Sequence, residues 1–296
     1  MIQHFLTYLQ SEKHYSQHTI LAYQRDIYDL CHFLNITPQQ FDPTLLSEDD
    51  IKLFIVHKLD TGTTTRTVKR KLSAIHSLFH FLLKINAVQN DVTQRIITPK
   101  IPKYLPNFFK DSEMNDATFL TEHLTDGGDF LQTRDALIIQ LLYQTGIRRA
   151  ELIELLEQNI DLYNNQIKVF GKRRKERLIP IGQELKTLIQ QYLTLRQQIP
   201  NPQPQLILTP DGEKTTNYII QKTVKNIMQQ VSSQKKLSPH VLRHTFATAM
   251  LNNGANINTI KQLMGHASLA ATQIYTHTTF QQAKDEYLHS HPRANN

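Results

Sequence analysis

Residues 98–111 read TPKIPKYLPNFFKD, with prolines at 99, 102 and 106. Each proline removes an amide donor and turns the residue before it away from the helical region. Neither a helix nor an interior strand crosses such a stretch, so 98–111 is expected to be an extended linker. It divides the 296 residues into one body at 1–97 and a second at 112–296, each long enough to bury its own core.

The first body reads as helical. Ser16 stands where an N-cap belongs, and Ile20, Tyr23, Ile27, Leu30 and Leu34 follow at helical spacing. Ser47, Glu48, Asp49 and Asp50 have the form of a capping box that opens a helix running through Leu59. After a polar turn at 61–67, Val68, Leu72, Ile75, Phe79 and Leu82 form an apolar stripe, and its start carries Arg66, Lys69, Arg70 and Lys71. A solvated face would account for four such cations, and so would a helix set against DNA. Their one-sided clustering at a helix start favours DNA.

The net charge of +7 and a pI near 9.3 point the same way, with a basic excess on both sides of the linker. Lysines and arginines that neutralise phosphates release counterions and gain affinity, so a polyanionic partner is expected. No apolar run approaches the ~18 residues of a membrane span, and residues 1–13 lack the basic and apolar regions of a secretory signal. A cytoplasmic protein with no membrane partner follows. Cys31 is the single cysteine, which excludes an internal disulfide and a cysteine-rich zinc site.

In the second body Thr133-Arg134-Asp135 opens a helix at 136–143 that Gly146 ends, and another begins at Arg148. Further helices are expected at 216–231, 239–252, 257–264, 268–274 and 279–289. Residues 166–170 and 177–180 read as two short strands, and the turn between them holds Lys172, Arg173, Arg174 and Lys175. The chain is therefore mainly α, with one small antiparallel sheet.

Residues 237–277 concentrate the chemistry. They supply His240, Arg243 and His244, then His266 and Tyr275, while TGIRRAEL upstream supplies Arg148 and Glu151. Breaking a phosphodiester without a metal requires donors on the non-bridging oxygens, a nucleophile that loses a proton and a leaving 5′-oxygen that gains one. Arginine forks bind phosphate oxygens through paired donors, which makes Arg148 and Arg243 a candidate clamp. Glu151, three residues from Arg148 on a predicted helix, is placed to orient a donor. His240 and His244 have the i, i+4 spacing of a helical metal pair. No carboxylate stands between them, however, and Arg243 would repel a cation there. No metal is expected; His240 is read as a general acid/base or phosphate donor and His244 as structural. Lys172, or its rival Lys175, can protonate a leaving alkoxide, with Arg173 and Arg174 holding the backbone. Tyr275 is a nucleophile only where cations stabilise its phenolate, since an ordinary phenol has a pKa near 10.

These pieces together resemble the tyrosine recombinases of the phage-integrase family, most closely the Xer type. The resemblance rests on TGIRRAEL, VFGKRRKERLIPI, the run from Ser238 to His277 and the ending HPRAN, with FLTYLQSEKHYSQHTILAYQRDI and TVKRKLSAIHSLFHFLL in the first body. It implies a SAM-like helical core-binding domain followed by a mostly helical catalytic domain. Arg148 and Arg243 would activate the phosphate, Lys172 would be the general acid, His240 and His266 would complete the pocket, and Tyr275 would attack. Glu151 matches the acidic position that supports the first arginine. One departure is GKRRK, where the family commonly has glycine after the lysine. The partners implied are a double-stranded recombination site, four protomers on two DNA sites, a paralogous recombinase and a DNA translocase, with no cofactor. The C-terminal helix would dock on a neighbouring protomer.

Overall fold

The computed structural model describes residues 1–99, 107–125, 129–171, 176–265 and 277–294. The chain folds as two units, Met1–Tyr104 and Leu105–Asn296, and the division falls inside the proline-rich linker.

The first unit contains α1 (Ile2–Ser11), α2 (Gln17–Phe33), α3 (Glu48–Asp60) and α4 (Thr65–Lys84). Two of its N-termini form as their sequences dictate. Ser16 Oγ accepts the Thr19 N–H, and Ser47 exchanges both hydrogen bonds of a capping box with Asp50. α4 is central because its apolar positions fall into two sets. Leu78, Phe81 and Leu82 pack with Phe5, Leu9 and Ile27, whereas Val68, Leu72, Ile75 and Phe79 pack with Leu30, Ile51 and Phe54. Each such fully buried side chain contributes roughly 2 kcal/mol by transfer out of water.

The basic start of α4 is not uniformly solvent-facing. Arg66, Lys69 and Arg70 are exposed, but Lys71 is not. Lys71 Nζ lies 3.1 Å from the buried Asp26 carboxylate and 2.7 Å from Asp29, and Arg70 also pairs with Asp26. Asp26 and Asp29 are three apart on α2, so both point at α4. A buried carboxylate needs such partners, and this internal need accounts for Lys71 and part of Arg70.

The second unit opens with α5 (Asp111–Thr125) and α6 (Phe130–Thr145). α6 begins earlier than its Thr133-Arg134-Asp135 signal indicated, because Asp129 caps it by accepting the Gln132 N–H. It is buried on nearly every side and is packed by α5, α8 (Gln183–Arg196), α9 (Asn217–Val231) and α10 (Pro239–Asn252). Gly146 ends it at φ +57°, and a Cβ there would come within 2.4 Å of the Phe246 ring. α7 (Arg149–Glu154) follows, then strands β1 (Ile160–Asp161), β2 (Gln166–Phe170) and β3 (Glu176–Pro180) in one antiparallel sheet of order β1-β2-β3. Ile167 pairs with Ile179 and Val169 with Arg177, and these four side chains lie on the buried face. α11 (Ile257–Met264) and α12 (His277–Ser290) complete the unit. The helix expected at 268–274 lies outside the described residues. Among the described residues no helix is long and apolar enough to cross a membrane.

Within the chain α12 packs against its own unit. Ala283, Tyr287 and the tail residue Ala294 join Phe246, Met250, Ile260, Leu263 and Met264 in one apolar cluster. His291 follows α12 and lies between the rings of Tyr143, Phe246 and Tyr287, 5.2, 5.6 and 5.2 Å away. Its Nδ1 accepts the Arg293 backbone N–H. Burial, opposed by the Tyr143 backbone and assisted by Arg293, drives its pKa from 6.5 down to about 3. The unfolded chain therefore binds a proton that the folded chain refuses between those two values. Stability is complete above pH 6.5 and falls on acidification by ~1.4 kcal/mol per unit. Urea melts at pH 6.5 and 4.5 are expected to differ by ~2–3 kcal/mol through this group. His291→Phe should remove that part of the slope; an unchanged slope would reject the assignment.

Candidate active site

Arg148 is the N-cap residue of α7, and Glu151 is its N3 residue. That spacing lets one carboxylate meet two needs. Glu151 accepts the Arg148 backbone N–H at 2.9 Å and the Arg148 Nη1 at 2.7 Å. The guanidinium is thereby aimed along the helix start while 39% of the side chain stays exposed. Glu151 is itself buried and also receives both terminal nitrogens of Arg177, at 3.0 and 2.7 Å. Burial pushes its carboxyl pKa up, but Arg177 and then Arg148 outweigh this and hold it below the ordinary range.

Arg243, on α10, reaches the same place from the opposite side. Its Nη1 donates to the Gly146 carbonyl at the end of α6 and its Nη2 to the Met264 carbonyl. Arg148 Nη2 donates to the next carbonyl, Gly265, at 2.7 Å, and Arg177 Nε to the preceding one, Leu263, at 2.7 Å. Three consecutive carbonyls at the end of α11 thus each receive a different arginine. A helix C-terminus carries unpaired carbonyls and a partial negative charge, so cations gather there with little cost. Gly265 turns the chain with φ +63° immediately before His266.

Three guanidiniums around one carboxylate leave the cluster positive. The effect is felt most at Arg243, which is buried: burial first, then Arg148, lower its pKa to about 9, against the opposing pull of Glu151. It remains a cation at neutral pH, in a setting where a bound anion relieves repulsion. His240 lies one turn before Arg243 on α10, with its ring 4.5 Å from that of His244. Burial, Arg243 and Lys236 lower the His240 pKa, so at neutral pH it is an uncharged imidazole able to give or take a proton.

Of the residues singled out in the sequence, Arg148, Glu151 and Arg243 converge on this cluster, and His240 shares a helix with Arg243. Lys172, Arg173, Arg174, Lys175, His266 and Tyr275 lie outside the described residues. Among the described residues no three histidine, cysteine or acidic side chains gather as metal ligands. Arg177 was not singled out. Alternation puts it on one face of β3 with Ile179, but Leu178 stands on the other face, so the strand by itself does not tell which side is buried.

The chain is similar to known proteins over nearly its whole length. A model of the phage integrase family matches residues 113–282, and a model of the phage integrase N-terminal SAM-like domain matches residues 2–86. Tyrosine recombinase XerC of Listeria welshimeri is 36% identical over 299 residues, spanning 99% of this chain and 97% of the relative. Tyrosine recombinase XerD of Listeria monocytogenes is 34% identical over 298 residues, spanning 99% of each. Among solved structures, XerH site-specific recombinase bound to its palindromic difH substrate, in a post-cleavage complex, superimposes with a TM-score of 0.72. It is 20% identical and covers 97% of this chain and 84% of its own.

Proposed function

The chain belongs to the phage integrase family, and from that premise we propose that it is a tyrosine site-specific recombinase joining DNA ends through a 3′-phosphotyrosyl intermediate. The observation that supports this best is the convergence of Arg148 and Arg243 on the Met264 and Gly265 carbonyls, directly before the segment that carries His266 and Tyr275.

In this reading the two guanidiniums hold the non-bridging oxygens of the scissile phosphate, with His240 and His266 completing the pocket. The Tyr275 oxygen forms a bond to phosphorus as the bond to the 5′-oxygen breaks. The phenol proton passes to a base, and the leaving oxygen takes one from Lys172, with Lys175 as its rival. A 5′-hydroxyl from a second duplex then reverses the step, regenerating tyrosine and producing a Holliday junction. The phosphoester bond is exchanged rather than hydrolysed, so the chemistry needs neither ATP nor a metal. Preorganised donors of this sort contribute ~10²–10³ in rate each. Arg66, Lys69, Arg70, Arg173 and Arg174 are assigned to the duplex backbone.

The assembly consistent with this chemistry is four protomers on two DNA sites in the cytoplasm. The full-length likeness to proteins named XerC and XerD favours chromosome-dimer resolution with a paralogous recombinase and a translocase over service to a mobile element. The test is a duplex selected from random sequence for binding and nicked beside the cleavage point. Wild-type protein should become covalently attached, as a band on denaturing gels that persists in EDTA. Absence of that band at saturating protein would end the proposal. Lys172→Ala should lose the band and regain it on a 5′-phosphorothiolate duplex, whose leaving group needs no acid. Rescue confined to Lys175→Ala would transfer the role to that lysine.

A further inference from the structure

Arg177 occupies a position where charge is costly. It faces Val169 across β2 and β3, on the side that buries Ile167 and Ile179, and 5% of its side chain is exposed. A guanidinium on a buried sheet face persists only if its donors are met. All three of its nitrogens are engaged, and by two different elements. Nη1 and Nη2 fork the Glu151 carboxylate on α7, while Nε donates to Leu263 at the end of α11. The next turn is packed against the same group, since a Cβ at Gly265 would come within 3.0 Å of Arg177 Nη1.

We propose that Arg177 is a positioning residue for phosphoryl transfer. By bridging Glu151 and the Leu263 carbonyl it fixes the direction of the Arg148 fork and the turn at 263–265 that precedes His266 in the sequence. The proposal rests on the recombinase reading above. Arg177 is assigned no phosphate contact, because the Glu151 carboxylate already occupies both ends of its fork. It acts through Arg148 on one branch and through the 263–265 turn on the other, so a single side chain ties one phosphate donor to the segment that bears the nucleophile. Misplacement of reacting groups by about 1 Å costs on the order of 10² in rate, which is the scale expected for its loss.

Removing Arg177 has a second signature. Burial raises the Glu151 carboxyl, and Arg177 is the largest influence opposing it, ahead of Arg148. The charged groups that face Glu151 are Arg148, Arg177 and, at longer range, Arg243. Without Arg177 the carboxyl protonates at higher pH, and Arg148 loses its anchor as it does so. A residue that merely held the sheet together would leave the pH profile in place.

The experiment measures single-turnover covalent capture on the nicked duplex from pH 5 to 9, together with duplex affinity and melting temperature. Arg177→Lys is expected to lower capture by about 100-fold, with affinity unchanged within about threefold because no phosphate contact is lost. Its acid limb should move to higher pH than that of wild type, and the shift should vanish when Glu151 is also replaced by glutamine. Combining Arg177→Lys with Glu151→Gln should slow capture no further than the worse single change. Should Arg177→Lys lack a cooperative melt, Arg177→Met combined with Glu151→Gln removes both halves of the buried ion pair together. That pair should melt cooperatively with the same deficit. A wild-type band together with an indifferent Arg177→Lys, or with losses that multiply across the cycle, overturns this proposal alone. Absence of any wild-type band overturns the recombinase reading as well.

Discussion

Arg243→Ala should slow covalent capture on a nicked duplex by at least ~10²–10³, and it should also lower the melting temperature. Two separate roles make both effects necessary. As a phosphate donor, Arg243 sits in a pocket screened from water, where a fixed charge acts through a low dielectric. As a structural tie, its buried guanidinium satisfies the Gly146 and Met264 carbonyls. Alanine leaves both carbonyls unpaired at ~1–3 kcal/mol each. Arg148→Ala is the informative contrast. That side chain is 39% exposed, so its removal should cost a comparable factor in rate with a smaller loss of stability. Capture is to be compared well below both melting temperatures. If Arg243→Ala then reacts within threefold of wild type, Arg243 is not a phosphate donor and the clamp dissolves.

What the sequence disclosed and what it concealed follow a physical division. Local signals were legible: the Ser16 and Ser47 caps, the stripe of α4, the stop at Gly146, the limits of α10 and α11, and strand β2 each depend on residues within a few positions of one another. The Arg148–Glu151 pair belongs here too, because an N-cap and its N3 carboxylate are neighbours in the chain. Concealed features depend on distant partners. α5 and α8 carry weak periodicity and are specified by packing on α6, which is buried on every side and shows no single apolar face. Lys71 reads as a DNA contact until Asp26 and Asp29 are seen opposite it. Arg177 is the sharpest case. Its meaning depends on a carboxylate in α7 and a carbonyl in α11, and no pattern along β3 alone distinguishes it from a surface charge.

Tyr275→Phe should abolish the covalent band altogether while leaving duplex affinity within about threefold. The asymmetry follows from where the energy of each event lies. Binding to DNA is dominated by phosphate neutralisation across many lysines and arginines, and one phenolic hydroxyl adds at most a single hydrogen bond of ~1 kcal/mol. Covalent capture has no such redundancy, because an oxygen must form the bond to phosphorus and phenylalanine has none. Water is a poor substitute. It lacks the effective concentration that a nucleophile tethered to the chain enjoys. The variant should therefore neither capture nor appreciably hydrolyse the nicked duplex, even with Arg148, His240 and Arg243 intact. Capture that survives in Tyr275→Phe would name another residue as the nucleophile. A loss of capture matched by an equal loss of affinity would assign Tyr275 to docking instead of chemistry. Only absent chemistry with intact binding identifies the phenol as the group that accepts the DNA end.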